Sequence, residues 1–400
     1  MMKRKPLLIA LAVIVVAAVA SYFVFRPQPT KVALYNYPSF MVGRMISSAN
    51  EKNVSVKVEK DLKRLSRYDA VLMWGMGGNA KEWTDEDREF IQSLGEKKIV
   101  YTILAATNPQ NNLKNISDEE NETISNYLFN GGVKNYRSLF NYIRRDLLGK
   151  PLREGTVEDP VVFSDNVFYG KTDEDIFDSY EAYQKYYQTH GYVEGAPKVA
   201  FLLGFATPNI SNRDHVDSVV ASFEAKGMNV YPFSSGADRI AVLKEIQPDL
   251  IVYVPHGRLI GGGPDSGAEY LRELNVPILT AMTLTTSREE WLKDKQGMVG
   301  GFLAQSVSSP EFDGVMVPYA LFSMELNSKT GLEEFQAMPD RLKTFTDLAY
   351  NYIKLKKTPN KDKKVALFYY KGPGENSLVA QGIEVLPSLY NLLCKMQEEG

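Results

Sequence analysis

The feature that most constrains the fold is a repeated alternation of short apolar runs with segments that carry helix signals. The apolar runs that end in turn residues are 31–38, 54–58, 68–75, 98–104, 198–203, 228–232 and 249–254. A helix signal separates many of them, such as Thr84 followed by acidic residues, which the helix dipole favours in a first turn. Strands that alternate with helices usually form a parallel sheet covered on both faces. The sequence therefore predicts an α/β fold.

Three of the predicted strands open with nearly the same residues. Lys31, Lys198 and Lys364 are each followed by Val-Ala and a further apolar residue, and each follows a proline-containing segment. This weak self-similarity predicts three starts of related α/β domains rather than one long sheet. The predicted fold is thus an N-terminal transmembrane helix followed by successive doubly wound α/β domains with helical insertions.

We place the limits of these units where the composition changes. Residues 1–26 form the anchor, residues 27–165 a first α/β domain with a helical segment, and residues 166–358 a second α/β domain. Residues 359–400 contain one predicted strand and one predicted helix, which is too little to bury both faces of a sheet. We therefore expect an incomplete third domain, and this sequence to be the N-terminal part of a longer protein.

The anchor is predicted from residues 6–25, a predominantly apolar run that follows the basic residues Lys3, Arg4 and Lys5. About 20 such residues span a bilayer as a helix. Basic flanks stay on the cytoplasmic side, so the body is expected on the extracytoplasmic, periplasmic side of the inner membrane. A cleaved signal peptide is the alternative, because Ala18-Val19-Ala20 resembles a cleavage site. Both interpretations export the rest of the chain.

Charge and composition exclude several classes of function. The net charge is −3, with acidic and basic residues interleaved and no basic patch, so we expect no nucleic-acid partner. One cysteine excludes cysteine-based metal sites, and three histidines that do not share a helical turn argue against a histidine cage. The glycine turn at residues 75–78 lacks a phosphate-loop pattern, so we expect no ATP site in this chain.

Residues 274–318 contain the most distinctive local pattern. A short buried strand at residues 276–279 is followed by a helix that Ser287 caps, with Glu290 and Trp291 in its first turn. A glycine-punctuated segment then leads to the turn at residues 309–314. By itself, this stretch predicts one α/β unit followed by a rigid loop.

In combination with other segments, this stretch resembles the large, porphyrin-binding subunit of the cobaltochelatase and magnesium-chelatase family. The segments that carry the resemblance occur in the family's order, and they are residues 127–149, 199–232, 274–314 and 364–393. The resemblance implies a tetrapyrrole as substrate, a divalent metal, and other chelatase subunits as partners. It also implies that the catalytic residues lie beyond residue 400.

This chain departs from the family pattern in two places. The family usually carries Tyr-His-Pro near the start of its second domain, whereas Phe168-Tyr169-Gly170 stands here, which puts a metal or tetrapyrrole role there in doubt. The soluble family members also lack an anchor such as residues 6–25. The chain is most similar to the anchored branch associated with haem uptake, which implies haem as substrate and haem-uptake components as partners.

Chelatase chemistry directs attention to two groups of side chains. A macrocycle needs an axial ligand and basic groups for its propionates, so His256 and Arg258, on a glycine-rich loop at a strand end, are candidate tetrapyrrole contacts. A carboxylate can hold a metal in transit, so Glu311 and Asp313 are candidate metal ligands. The alternative is that His256 lies in an ordinary surface turn, and that Asp313 and Glu311 only stabilise local backbone.

Three functions follow from the resemblance. The first is a membrane-anchored chelatase-type enzyme that removes or exchanges the iron of haem. The second is a cobaltochelatase large subunit that inserts cobalt into a corrin precursor with separate ATPase subunits. The third is a non-catalytic, exported haem-binding protein.

Overall fold

Two sheets organise the part of the chain that the structure describes. The computed structural model describes residues 28–236, 238–261, 266–328, 330–368, 379–380 and 383–400. The predicted anchor at residues 6–25 lies outside these ranges. Among the described helices, none is long and apolar enough to cross a membrane.

The first sheet contains four parallel strands. They are β1 (Thr30–Tyr35), β2 (Val54–Glu59), β3 (Ala70–Trp74) and β4 (Val100–Leu104). Its helices are α1 (Ser39–Ser48), α2 (Asp85–Glu96), α3 (Asp118–Asn130) and α4 (Gly132–Tyr142). The strands lie in the order β2-β1-β3-β4. The predicted parallel sheet is therefore confirmed for this part of the chain.

Alternate side chains of β1 enter two different cores. Val32 and Leu34 pack on the face that α1, α3 and α4 cover. Ala33 and Tyr35 pack on the opposite face, against Ile91 of α2. A strand with apolar residues on both faces is typical of a parallel sheet that helices enclose.

The second sheet contains eight strands in the described residues. They are β5 (Asn166–Tyr169), β6 (Ile176–Phe177), β7 (Lys198–Leu203), β8 (Asn229–Ser235), β9 (Leu250–Val254), β10 (Ile278–Thr283), β11 (Met316–Leu326) and β12 (Glu333–Ala337). Their order is β12-β11-β10-β9-β7-β8-β5-β6. The central strands from β8 to β11 are parallel, and β12, β5 and β6 are antiparallel additions at the two edges.

The helices of the second unit follow its strands in sequence. They are α5 (Tyr180–Tyr187), α6 (Asp214–Ala225), α7 (Arg239–Ile246), α8 (Ser266–Leu274), α9 (Arg288–Lys293), α10 (Gly300–Leu303), α11 (Ser309–Glu311) and α12 (Pro339–Lys357). Ser287 caps α9 as predicted, and it forms a reciprocal pair of hydrogen bonds with Glu290. Tyr183 and Tyr187 of α5 are buried, so the helix face that carries them belongs to the core.

The parallel part of the second sheet repeats the strand order of the first. In β8-β7-β9-β10-β11, as in β2-β1-β3-β4, the strand that comes first in sequence lies between the second and the third. Lys31 and Lys198 lie at the starts of the two corresponding strands, β1 and β7. The direction of winding therefore reverses between β1 and β3 in one sheet and between β7 and β9 in the other.

The strand predicted to begin at Lys364 is not formed in the described residues. Residues 363–368 belong to no strand, and Phe368 is 96% exposed. A strand needs a neighbour to pair its backbone N–H and C=O groups, and these residues pair with none. The prediction is wrong for this segment, whose last residues, 369–370, lie outside the description. Beyond them, the structure contains β13 (Val379–Ala380), β14 (Ile383–Glu384) and α13 (Val385–Glu398).

The two sheets meet through α1, which begins close to the carboxyl end of β1. The Phe40 ring lies 5.0 Å from the ring of Phe205 and 5.9 Å from that of Phe335, measured between centroids. Arg44 is buried and binds the Asp173 carboxylate with both terminal nitrogens, at 2.9 and 2.5 Å. A bidentate pair of this kind fixes orientation as well as distance. It therefore orients the first unit relative to the second.

Arg144 is almost fully buried and fixes the point at which the described chain enters the first sheet. Its Nη1 donates to the Gln28 carbonyl, the Thr30 hydroxyl and the Asn53 carbonyl at 3.1, 2.9 and 3.0 Å. Its Nε donates to the Pro151 carbonyl at 2.9 Å. A guanidinium removed from water requires such acceptors. These hydrogen bonds hold Gln28 against the amino edge of the sheet.

Candidate functional site

The carboxyl ends of β7 and β9 form the crevice at which a ligand is expected in this architecture. These strands are neighbours in the sheet, although β8 lies between them in sequence. Ligands of open α/β sheets bind where the winding reverses, outside the carboxyl ends of the strands. The loop that follows β9 carries His256 and Arg258, so the structure places both predicted tetrapyrrole contacts at this edge.

His256 is exposed on a loop whose backbone is held at two points. Its ring stacks on the Phe205 ring, with centroids 5.8 Å apart and an interplanar angle of 22°. Its backbone N–H donates to the Tyr253 hydroxyl at 3.1 Å. The next N–H, that of Gly257, donates to the Gln305 carbonyl at 2.9 Å. The imidazole is thereby presented to solvent from a constrained loop.

Arg258 and Asp313, which the sequence assigned to separate roles, form an ion pair. The Asp313 side chain is 0% exposed and that of Arg258 is 38% exposed. The Asp313 Oδ1 accepts from Arg258 Nε at 2.9 Å and also from Arg258 Nη2. The other oxygen, Oδ2, accepts from the Ile260 backbone N–H at 3.1 Å. Asp313 therefore ties the loop that carries His256 to the segment between β10 and β11.

This geometry bears on the predicted metal ligands. Both carboxylate oxygens of Asp313 accept hydrogen bonds, whereas Glu311 is exposed two residues away. In the described residues, no group of three or more histidine, cysteine, aspartate or glutamate side chains is placed to hold a metal ion. The metal-binding roles of Glu311 and Asp313 stay predictions, and Asp313 would have to exchange Arg258 for a metal.

Glu311 lies on the rim of a pocket of about 380 Å³ beside a distorted strand. The pocket is also lined by Thr280, Val307 and Val317. Val317 has a φ of 54°, and the pairing of β10 with β11 shifts register there. A left-handed conformation is costly for a β-branched residue, and such strain is found where a strand must bulge.

His215 is a residue whose importance the sequence analysis missed. It lies on α6, is 0% exposed, and has its Nε2 3.1 Å from the Ala206 carbonyl oxygen. Its ring contacts those of Phe322 and Phe335 edge-on or tilted, at 5.1 and 5.7 Å between centroids. Burial lowers the pKa of this imidazole to about 4. The neutral ring thus forms part of the floor beneath the loop that follows β7.

A second concave site lies at the place where the family's Tyr-His-Pro is replaced. Tyr169 is buried, and its hydroxyl hydrogen-bonds to the Ser234 hydroxyl at 2.8 Å. Burial raises the pKa of Tyr169 to about 12. The tyrosine lines a pocket of about 220 Å³, in which Lys171 and Glu224 form an ion pair of 3.0 Å. The sequence indicated only a missing histidine here, because the pairing of Lys171 with Glu224 spans 53 residues.

Buried polar atoms without a hydrogen-bond partner occur near the junction of the two units. Among the described side chains, these atoms include the hydroxyls of Tyr37 and Tyr136, Arg44 Nε and Asn209 Oδ1. Burial raises the pKa of both tyrosines. Gly131 allows close approach here, because a Cβ at this position would lie 2.4 Å from the Asn209 carbonyl oxygen. Atoms of this kind are usually satisfied by ordered water or a ligand.

The fold and the crevice together define the class of protein. It is an α/β protein with two doubly wound sheets, the first parallel and the second parallel except at its edges, and with a candidate site on a loop where the winding reverses. Residues 125–400, more than half of the chain, match the family model described as CobN/Magnesium Chelatase. The chain belongs to this family. The resemblance predicted from the four sequence segments is therefore confirmed at the level of the family.

Individual relatives agree with this assignment. The aerobic cobaltochelatase subunit CobN of Pseudomonas aeruginosa is 21% identical over 383 residues, which cover 91% of this chain and 29% of that protein. The chloroplastic magnesium-chelatase subunit ChlH of Oryza sativa subsp. indica is 25% identical over 266 residues, or 61% of this chain and 19% of that protein.

A solved structure supports the fold. The catalytic subunit of cobaltochelatase from Mycobacterium tuberculosis superimposes with a TM-score of 0.59 and 21% identity, over 84% of this chain and 28% of that one. The chain thus spans less than a third of the length of each of these three proteins. Together with the family model, these matches show membership of the family, and they do not distinguish the haem-associated branch from the others.

We predict that Asp313 matters more for stability than its neighbour Glu311. Asp313→Asn leaves the partly exposed Arg258 without its buried anionic partner, so we expect the free energy of unfolding to fall by about 2–3 kcal/mol. Glu311→Gln is the matched control, and we expect a change of less than about 0.5 kcal/mol because its side chain is exposed. Urea unfolding of both variants measures the difference. Equal effects would contradict the role assigned to the Arg258–Asp313 pair.

We also predict a pH dependence that originates from His215. The pKa of His215 is about 4 in the folded protein, compared with 6.5 for an unperturbed histidine, so the unfolded chain binds a proton more readily. His215 therefore does not reduce the free energy of unfolding above pH 6.5. As the pH falls towards 4, the free energy of unfolding decreases by about 3 kcal/mol in total. Urea unfolding should show that His215→Gln removes most of this loss. Parallel pH profiles for the variant and the natural chain would contradict the prediction.

Proposed function

We propose that this chain is part of a chelatase-type large subunit whose substrate is haem, from which iron is removed or exchanged. The main support is that the residues matched by the family model include the loop where the direction of winding reverses between β7 and β9, and His256 is exposed on this loop. An imidazole is an ordinary axial ligand of haem iron. The adjoining Phe205 ring supplies an apolar, planar neighbour of the kind that suits a macrocycle.

Arg258 is proposed to contact a propionate from the same loop. Its guanidinium is partly exposed, and Asp313 holds it in a fixed orientation through Nε and Nη2. Arginine suits a carboxylate because its planar donors match the two oxygens. Asp313 then acts as a positioning residue, since it fixes the group that would contact the substrate.

Removal of iron from haem also requires protons. When Fe²⁺ leaves the macrocycle, two pyrrole nitrogens must each take up a proton, so the reaction needs a general acid and an acceptor for the metal. The exposed carboxylate of Glu311, in the segment that Asp313 ties to the His256 loop, is proposed to receive the metal. The iron is a product here, not a resident cofactor.

The proposed location is the outer face of the inner membrane. Residues 6–25 would anchor the chain, with the body on the periplasmic side and haem-uptake components or other chelatase subunits as partners. The support is the apolar run and its basic flank in the sequence.

A cobaltochelatase large subunit is the second candidate function. The names of the relatives from Pseudomonas aeruginosa and Mycobacterium tuberculosis favour it. It would insert cobalt into a corrin precursor with separate ATPase subunits, so it predicts a requirement for ATP and a cytoplasmic location.

The test is incubation of the complete polypeptide with haem under reducing, anaerobic conditions and without ATP. We expect metal-free porphyrin, detected by its fluorescence, and an equal amount of Fe²⁺, detected with a chelating dye. Haem binding without either product would instead indicate a non-catalytic haem-binding protein. Cobalt insertion that depends on ATP and partner subunits would favour the second candidate.

His256→Ala tests the placement of the substrate. Loss of an axial ligand should weaken haem binding by about tenfold or more and shift the Soret band. His190→Ala is the matched control, because His190 is also exposed but lies after α5, on a different segment of the second unit. If both variants bind haem as the natural chain does, His256 is a surface residue only.

A further inference from the structure

The amino edge of the first sheet contains a cation-rich groove that the proposed chemistry does not use. The groove has a volume of about 650 Å³. It is lined near the starts of all four strands, by Gln28, Pro29, Lys31, Ser55, Ser66, Arg67, Tyr68, Asp69, Lys97, Ile99 and Lys150. Small ligands of parallel sheets bind at the carboxyl edge. A groove at the opposite edge is therefore not expected to be the substrate site.

The lining is strongly basic in a protein whose net charge is −3. Four cationic side chains face a single carboxylate, that of Asp69. Asp69 already accepts from Lys150 Nζ at 2.9 Å and from the Lys31 backbone N–H at 2.7 Å. Although burial opposes the effect, these hydrogen bonds lower the pKa of Asp69. Asp69 therefore stays ionised and neutralises only one of the four charges.

The described residues hold the remaining three cations in no salt bridge, although the charge of Lys31 also helps to lower the pKa of Asp69. Lys31, Arg67 and Lys97 are exposed, and the structure shows no ion pair for any of them among the described residues. The hydroxyl of Ser55 lies in the same lining, whereas that of Ser66 donates to the Lys63 carbonyl at 3.1 Å and is not counted among the phosphate donors. Ammonium, guanidinium and hydroxyl groups together are the donors that bind phosphate oxygens.

The path of the chain places this groove close to the predicted membrane segment. Gln28 lies on the groove, and Arg144 holds its carbonyl, so the chain enters the sheet at a fixed position. The predicted membrane segment ends at residue 25, three residues before Gln28. Three extended residues span at most about 10 Å. If residues 6–25 cross the bilayer, the groove must face its surface.

We infer that this groove binds the phosphate headgroups of anionic phospholipids and holds the amino edge of the first sheet against the membrane. The inference rests on the proposed anchor. Basic side chains close to a bilayer attract its anionic lipids, and the attraction weakens with salt. The body would then have one preferred orientation, with the carboxyl edge of the first sheet directed away from the membrane.

The test measures the distance between the groove and the lipid. The complete chain carries Cys394→Ser and Ser66→Cys, is labelled at position 66 with a fluorophore, and is reconstituted in nanodiscs that contain headgroup-quencher lipids. Nanodiscs of phosphatidylcholine alone are compared with nanodiscs that also contain phosphatidylglycerol. We expect strong quenching only with phosphatidylglycerol, and its loss at high salt. A label introduced by Met76→Cys, at the opposite edge of the sheet, should be quenched little in both.

Charge variants identify the groups responsible. Lys31→Gln, Arg67→Gln and Lys97→Gln together should reduce the quenching at position 66 by about threefold or more. The matched control is Lys185→Gln, Lys295→Gln and Lys361→Gln, which removes three exposed charges elsewhere and should leave the quenching unchanged. Equal losses in both triple variants would overturn the inference.

Two further outcomes separate this inference from the proposed anchor. If the chain does not co-elute with the nanodiscs, the anchor is wrong and the inference falls with it. If the chain co-elutes but position 66 is not quenched, the anchor stands and the groove does not bind lipid. Loss of the quenching on addition of millimolar inorganic phosphate, at matched ionic strength, would also overturn the inference, because the groove would then bind soluble phosphate.

Discussion

The candidate site depends on one buried carboxylate. Asp313 receives hydrogen bonds from Arg258 and from the Ile260 backbone, and it therefore joins the loop after β9 to the segment that returns to β11. Without this connection, the loop that carries His256 would be held mainly by the Tyr253 hydroxyl and the Gln305 carbonyl. A carboxylate removed from water is stable only with such donors. The position of the His256 imidazole thus depends on the charge of Asp313, although a ligand in the crevice does not need to contact Asp313.

The sequence was sufficient for the parallel α/β core and insufficient for the antiparallel edge strands and for these contacts. Strand and helix periodicity is local, so the parallel sheets and the cap at Ser287 were predictable. The pairing of Arg258 with Asp313 spans 55 residues, and that of Arg44 with Asp173 spans 129. Such pairs depend on the tertiary packing of elements that are far apart in the chain, and no local pattern in a single sequence predicts this packing. The strand expected at Lys364 has a related explanation: the apolar run at residues 365–368 is present, but no strand among the described residues pairs with it.

Family membership and the local structure make separate contributions to the functional argument. The match over residues 125–400 establishes membership of the CobN/Magnesium Chelatase family, while the chain spans less than a third of the relatives compared. The structure adds a location for the candidate site, because the reversal of winding between β7 and β9 brings Phe205 and His256 together at the carboxyl edge of the second sheet. The contact of Phe40 with Phe205 places the first unit beside this crevice, so movement of one unit against the other would alter the site.

The central claim is that a tetrapyrrole binds at the reversal between β7 and β9. Hydrogen–deuterium exchange of the complete polypeptide, with and without haem, tests this claim most directly. The account predicts slower exchange in residues 204–209 and 255–261, with little change around Tyr169 and Lys171. Protection confined to the pocket beside Tyr169, or no protection in residues 255–261 at saturating haem, would contradict it.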